Sequence, residues 1–99
     1  MTVWRHNPAV ARVDSPHRAV LLNLDHLTQP PVALDGVARL VYDSLDGVRD
    51  TDEVIAVLQE QFPHAHRIGE DVRACLDSFA DVGIIEPSTH HRNETPAEL

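Results

Sequence analysis

Few residues of this chain combine the types and the spacing that chemistry requires. His64 and His66 stand one residue apart and could ligate a metal ion. A zinc site takes three or four protein ligands, however, and no cysteine lies nearby, so a polar loop accounts for the pair. Asp14, Ser15 and His17 include the residue types of a hydrolytic triad. Close neighbours in one turn do not reach triad geometry, and no glycine-elbow motif accompanies them.

The remaining reactive groups also have ordinary explanations. Cys75 is the only cysteine, so it forms no internal disulfide, and it falls within a helical apolar pattern as a small buried hydrophobe. His90 and His91 lie in a polar stretch with no fold to position them. The Asn93–Thr95 glycosylation motif means little without a secretion signal. We therefore predict no catalytic residue, no metal site and no cofactor, and a protein that is not an enzyme.

Composition narrows the classes of partner. The 99 residues are enough for one domain with one modest core. Sixteen acidic against eight basic residues give a net charge of −8, which repels phosphate backbones and argues against nucleic acid as a partner. No apolar run has the length of a membrane span, and the N-terminus lacks the apolar core of a signal peptide. We expect a cytoplasmic protein with no membrane partner.

Three short strands are predicted in the first third of the chain, over Ala9–Val13, Arg18–Leu24 and Pro31–Leu34. The turn residues between the first two predict a hairpin. Because proline cannot donate to a strand ladder, the prolines that open the third segment place it at a sheet edge.

Three helices are predicted to follow. Asp35 is the expected N-cap of the first, and Gly47 is placed as its left-handed terminator. Asp50 and Glu53 have the spacing of a capping box at the start of the second, which Pro63 ends. The third runs from Ile68 or Gly69 to Val82 and ends at Gly83. The expected inward positions are Val37, Leu40, Val41 and Leu45, then Val54, Ile55, Leu58 and Phe62, then Val72, Cys75, Leu76, Phe79 and Val82.

This order of elements predicts an α+β fold that is winged-helix-like, with a three-stranded antiparallel sheet followed by three helices. We expect residues 1–8 to be a flexible lead-in that can fold back through Trp4. Residues 9–86 form the domain, and residues 87–99 are polar and aperiodic, as in a disordered tail.

In this arrangement the chain resembles PqqD-like proteins, the stand-alone recognition elements for precursor peptides of ribosomally synthesised natural products. The first matching segments are Val20–Leu22, Val32–Asp35, Leu45–Gly47 and Asp52–Ile55 with Leu58. Gln61–Pro63, Asp71–Val72, Cys75–Leu76, Phe79 and Gly83–Ile84 complete the match over about 70 residues. The two prolines before the third strand, the Asp35–Gly36 helix start and a longer loop at Asp25–Pro30 depart from the family pattern.

The resemblance implies a non-catalytic peptide chaperone for a precursor leader. The leader would add as a strand to the third strand, at Val32, Ala33 and Leu34, and lie in a groove against the third helix. On that helix the implied contacts are Arg73, Leu76, Asp77 and Ala80, with Arg73 facing an acidic leader side chain. The implied partners are the leader and a maturation enzyme, either a radical S-adenosylmethionine protein or a leader peptidase and cyclase pair as in lasso peptide assembly. The free strand edge is compatible with a monomer or a weak homodimer.

Two other functions remain open on sequence grounds. The first is a winged-helix DNA-binding regulator, although Glu70, Asp71, Asp77 and Asp81 outnumber Arg67 and Arg73 on the helix that would have to face phosphate. The second is a small enzyme or metal protein built on the histidines.

Overall fold

The computed structural model describes residues 2–88. In chain order the elements are β1 (Trp4–His6), β2 (Val10–Asp14), β3 (Ala19–Asn23), β4 (Val32–Leu34), α1 (Gly36–Ser44), α2 (Thr51–Gln61), α3 (Ile68–Asp81) and β5 (Ile85–Pro87). The predicted α+β class, with a three-stranded antiparallel sheet followed by three helices, is confirmed.

The three-stranded sheet has the order β2-β3-β4, with antiparallel neighbours. Its central strand β3 alternates strictly, since Ala19, Leu21 and Asn23 are buried while the residues between them are only partly buried. This period of two is typical of a strand with one face on a core. β4 lies at an edge, as the prolines before it predict.

The first residues of the chain differ from the flexible lead-in that we expected. β1 pairs with β5 as a second antiparallel sheet, in which Trp4 lies opposite Pro87 and His6 opposite Ile85. Trp4 packs against the core, as folding back through the indole requires. The predicted tail begins within β5 at Pro87, and residues 89–99, with His90, His91 and the Asn93–Thr95 motif, lie outside the described residues.

The helix boundaries follow local capping. At α2 the predicted capping box is present, with Asp50 accepting from the Glu53 backbone N–H and Glu53 accepting from the Asp50 backbone N–H. Asp35 is the N-cap of α1 but makes no capping hydrogen bond through its side chain. α1 ends at Ser44 with Leu45 as C-cap, so Gly47, at φ +79°, shapes the following loop instead of the terminus itself.

The core lies between the sheet and the helices, and it corrects two expectations about which positions face inward. The face that α1 buries contains Val41, Tyr42 and the C-cap Leu45, whereas Val37 and Leu40 are exposed. The helix turns this way because Tyr42 packs against aromatic rings of β1 and α3. Phe62 is also exposed, since α2 has already ended at Gln61. The buried core residues are Leu21, Leu34, Val41, Tyr42, Leu45, Val54, Leu58, Ile68, Val72, Leu76, Phe79, Ile84 and Ile85.

Candidate functional site

The outer edge of β4 offers backbone groups that no described strand pairs with. In the β2–β3 hairpin the Ser15 N–H donates to the Arg18 oxygen, and the Leu24 N–H donates to the Ala9 oxygen. Hydrogen-bonded pairs alternate along an antiparallel ladder, so the even-numbered residues of β3 bond to β2 and the odd-numbered residues bond to β4.

The same alternation assigns the groups of β4 itself. Leu34 lies opposite Ala19 and Val32 opposite Leu21, and these two pairs carry the β3–β4 hydrogen bonds. The N–H and C=O of Ala33 therefore point away from the sheet. Of the β4 side chains, Leu34 is buried, Val32 is partly buried and Ala33 is exposed on the other face. One residue of this edge is thus available for both bonds of an added strand.

Three of the four predicted positions on α3 line a pocket to which no β4 residue contributes. This pocket has a volume of about 380 Å³, and its lining residues are Thr2, Trp4, Thr51, Asp52, Arg73, Leu76 and Asp77. Leu76 is buried, Arg73 and Asp77 are exposed, and Ala80 packs partly buried against the core outside the pocket lining. None of Val32, Ala33 or Leu34 lines it. The predicted site residues therefore form two groups, one on the β4 edge and one on α3.

Sequence reasoning did not find the wall of this pocket that lies opposite α3. Thr2 and Trp4 belong to the segment expected to be flexible, and Thr51 and Asp52 form the first turn of α2. The segment is held in place because Val3 bridges to Asp50 and the Gly47 N–H donates to the Trp4 oxygen. The one available signal was the large apolar side chain of Trp4.

The charges at the pocket are unevenly paired. The Arg73 Nη2 lies 3.8 Å from the Asp52 Oδ1, which is longer than a hydrogen bond, and both side chains are about 60% exposed. The Arg73 guanidinium lies over Gly69, one turn towards the start of α3. Within residues 2–88, no hydrogen bond or ion pair reaches the Asp77 carboxylate.

The described residues offer little for metal or nucleophile chemistry. Within residues 2–88, no group of three or more His, Cys, Asp or Glu side chains comes together to hold a metal ion. Cys75 is half-buried on α3, and burial raises the pKa of its thiol, with the Asp71 carboxylate adding to the effect. A raised pKa keeps the thiol protonated at neutral pH, and the thiolate is the reactive form.

Three comparisons complete the description. The family model described as coenzyme PQQ synthesis protein D (PqqD) matches residues 18–85. No curated protein matches the chain. The solved structure of TbiB1 in complex with the TbiA(beta) leader peptide matches with a TM-score of 0.69 and 21% identity, and the match covers 83% of this chain and 94% of that one. At that identity the likeness shows a shared fold.

None of the helices between residues 2 and 88 has the length and apolar character that crossing a bilayer requires.

Proposed function

This chain belongs to the PqqD family, since the family model covers more than half of it, and we propose that it binds the leader segment of a ribosomally synthesised precursor peptide. The protein acts as a non-catalytic chaperone. It captures the leader by strand addition and presents the precursor to a modifying enzyme in peptide natural product or cofactor biosynthesis.

The observation that carries this proposal is the one-sided pairing of β4. Ala33 directs its N–H and C=O outward, and its small exposed side chain leaves room for a neighbouring strand. An extended peptide completes such an edge through main-chain hydrogen bonds, while pockets nearby select its side chains. The fold shared with a protein whose structure contains a leader peptide supports a leader as the ligand.

The edge by itself supplies limited affinity. Two hydrogen bonds to Ala33, at about 1 kcal/mol net each, amount to about 2 kcal/mol. The next outward position, Pro31, has no N–H to donate. A micromolar complex needs about 8 kcal/mol. Side-chain contacts therefore supply most of the binding energy, and α3 with Arg73, Leu76, Asp77 and Ala80 is the surface that we propose for them.

This role requires two partners. The first is the precursor leader, and the second is a maturation enzyme, either a radical S-adenosylmethionine protein or a leader peptidase and cyclase pair as in lasso peptide assembly. The complex works in the cytoplasm. The unpaired edge of β4 can also take a second copy of itself, so the protein is a monomer or a weak homodimer in which leader and self-pairing compete.

None of the comparisons supports a winged-helix DNA-binding regulator or a histidine-based enzyme. The net charge of −8 opposes DNA binding. The winged-helix likeness itself stays a prediction from the order of elements.

Titration of the ¹⁵N-labelled protein with leader peptides of small precursors encoded beside its gene tests the proposal. We expect saturable amide shifts at Val32–Leu34 and along α3 from Arg73 to Ala80. A scrambled peptide of identical composition should leave these amide signals unshifted. Shifts confined to surfaces outside β4 would contradict strand addition at this edge, and no shift with any such leader would contradict the proposed function.

A further inference from the structure

The pocket between the N-terminal segment, α2 and α3 has the build of a side-chain binding site. Its volume of about 380 Å³ exceeds the space of a single packing defect and is open to solvent. Its lining combines apolar surface with charged groups, a mixture that fixes both the position and the orientation of a ligand.

The apolar part of the pocket comes from Trp4 and Leu76. Leu76 is 96% buried and belongs to the core, so its position is fixed. Trp4 is held by pairing with β5 on one side and by its contact with the core on the other. An indole attracts cations over its face and packs along aliphatic chains, so this surface suits a methylene stem that ends in a positive charge.

The charged side chains of the pocket also favour a cation, because carboxylates are in excess. Asp52 and Asp77 outnumber Arg73, and the guanidinium of Arg73 lies towards Asp52 and Gly69. The carboxylate of Asp77 has no partner among residues 2–88 and stands one position after Leu76 on α3. An aliphatic stem lying over Leu76 and Trp4 therefore ends beside an unpaired negative charge.

We propose that this pocket binds the side chain of a lysine or arginine residue of the peptide whose backbone pairs with β4. The stem lies on Trp4 and Leu76, and the cation pairs with Asp77. This inference rests on the proposed function and adds to it a charge requirement on the leader. It also differs from the expectation that Arg73 contacts an acidic leader residue.

The chain provides its own reporter for a test. Trp4 is its only tryptophan, so the fluorescence and the indole N–H signal of the protein both report on this pocket. The probes are three blocked tripeptides with glycine on both sides of arginine, norleucine or glutamate, added at millimolar concentrations to the full-length protein. We expect the arginine tripeptide to bind about tenfold more tightly than the norleucine tripeptide, and the glutamate tripeptide to bind more weakly than both.

Variants on α3 identify the group responsible. Asp77→Asn should reduce the preference for arginine over norleucine at least threefold. Asp81→Asn, which removes an exposed carboxylate of the same helix outside the pocket, should preserve it. Arg73→Gln removes the competing cation and should strengthen arginine binding. Urea midpoints within error of the original chain establish that each variant is folded.

Two results would overturn the inference. One is a preference for the glutamate tripeptide that disappears in Arg73→Gln, which would make the pocket an anion site centred on Arg73. The other is no saturable change at Trp4 with any tripeptide. Failure of the proposed function gives a different pattern, since leader peptides would then leave the β4 amides unshifted while the arginine tripeptide still bound.

Discussion

The imidazole of His6 lies parallel to the phenol ring of Tyr42, with 3.9 Å between ring centroids and 6° between ring planes. The His6 Nε2 is also 2.6 Å from the backbone oxygen of Tyr42. Because a carbonyl oxygen only accepts, Nε2 carries the hydrogen and donates it. The ring of Phe79 stands perpendicular to that of Tyr42 at 5.8 Å. Through these contacts β1 is attached to α1 and, by way of Tyr42, to α3. The same contacts hold in place the wall that Trp4 contributes to the pocket between the N-terminal segment, α2 and α3.

His6→Ala should lower the free energy of unfolding by about 1–3 kcal/mol, since it removes a ring stack and a hydrogen bond together. Urea denaturation measures this change, and Trp4 fluorescence shows whether the strand loosens before the core unfolds. His17→Ala, in the exposed β2–β3 turn, should change stability by less than about 0.5 kcal/mol. Equal effects of the two substitutions would mean that the stack contributes nothing.

Tyr42 should ionise only above the ordinary tyrosine value of about 10. Burial raises its pKa and Asp43 adds to the rise, while Arg12 opposes it. The folded state thus holds the phenol proton more tightly than the unfolded state. Stability should be unaffected below the unfolded pKa and should fall as pH rises from there towards the folded pKa.

Since Tyr42 is the only tyrosine, tyrosinate absorbance follows it directly. The urea-unfolded chain is the matched reference. Coincident titrations of the folded and unfolded chains would contradict this prediction.

Gly83→Ala should destabilise the fold more than Gly36→Ala. Both glycines have positive φ, +77° and +54°, where a side chain is strained. A Cβ at Gly83 would also lie 2.9 Å from the Nδ2 of the buried Asn23, whereas a Cβ at Gly36 meets nothing within 4 Å. We expect a loss of about 1 kcal/mol at Gly36 and at least about 2 kcal/mol at Gly83. Thermal or urea unfolding of the pair measures the difference, and equal losses would show that Asn23 moves aside at no cost.

Ala33→Pro should weaken leader binding while the fold is kept. Proline removes the outward N–H of Ala33, and because that group does not bond to β3, the sheet retains its ladder. Ala33→Thr is the matched control, since it keeps the N–H and favours the strand conformation. We expect a several-fold rise in the dissociation constant for proline alone, measured by calorimetry with the leader. Equal binding by the two variants would contradict pairing at Ala33.

Cys75 should react slowly with iodoacetamide in the folded protein at neutral pH. Burial and the Asp71 carboxylate raise the pKa of its thiol, so the thiolate is scarce. Alkylation in urea provides the reference rate, and the folded rate should rise with pH only in a more alkaline range. Equal rates in both states would mean that the thiol is open to solvent.

Much of the domain could be predicted from local patterns. The apolar segment of β3, the capping box of Asp50 and Glu53 and the glycine after α3 each determine structure within a few residues, and each element was predicted correctly. The edge position of β4 followed from the prolines before it, which lack an N–H. These features depend on neighbours in sequence, which a single chain displays directly.

The features that were missed depend on contacts distant in sequence. β1 is three residues long and gains its stability from β5, which follows 79 residues later, at Ile85. The inward face of α1 was misjudged because His6 and Phe79, on other elements, draw Tyr42 into the core. Whether Arg73, Leu76, Asp77 and Ala80 contact a leader stays a prediction, since the groove they would border depends on the bound peptide.

The pairing of β1 with β5 also has a consequence for synthesis on the ribosome. β1 is made before β5, so Trp4 and His6 meet their strand partners only after Ile85–Pro87 has left the exit tunnel. Closing so long a loop is slow compared with forming the β2–β3 hairpin, so the β1–β5 sheet forms later than the hairpin. A nascent chain halted before Ile85 should expose its tryptophan to quenchers more than the folded domain does.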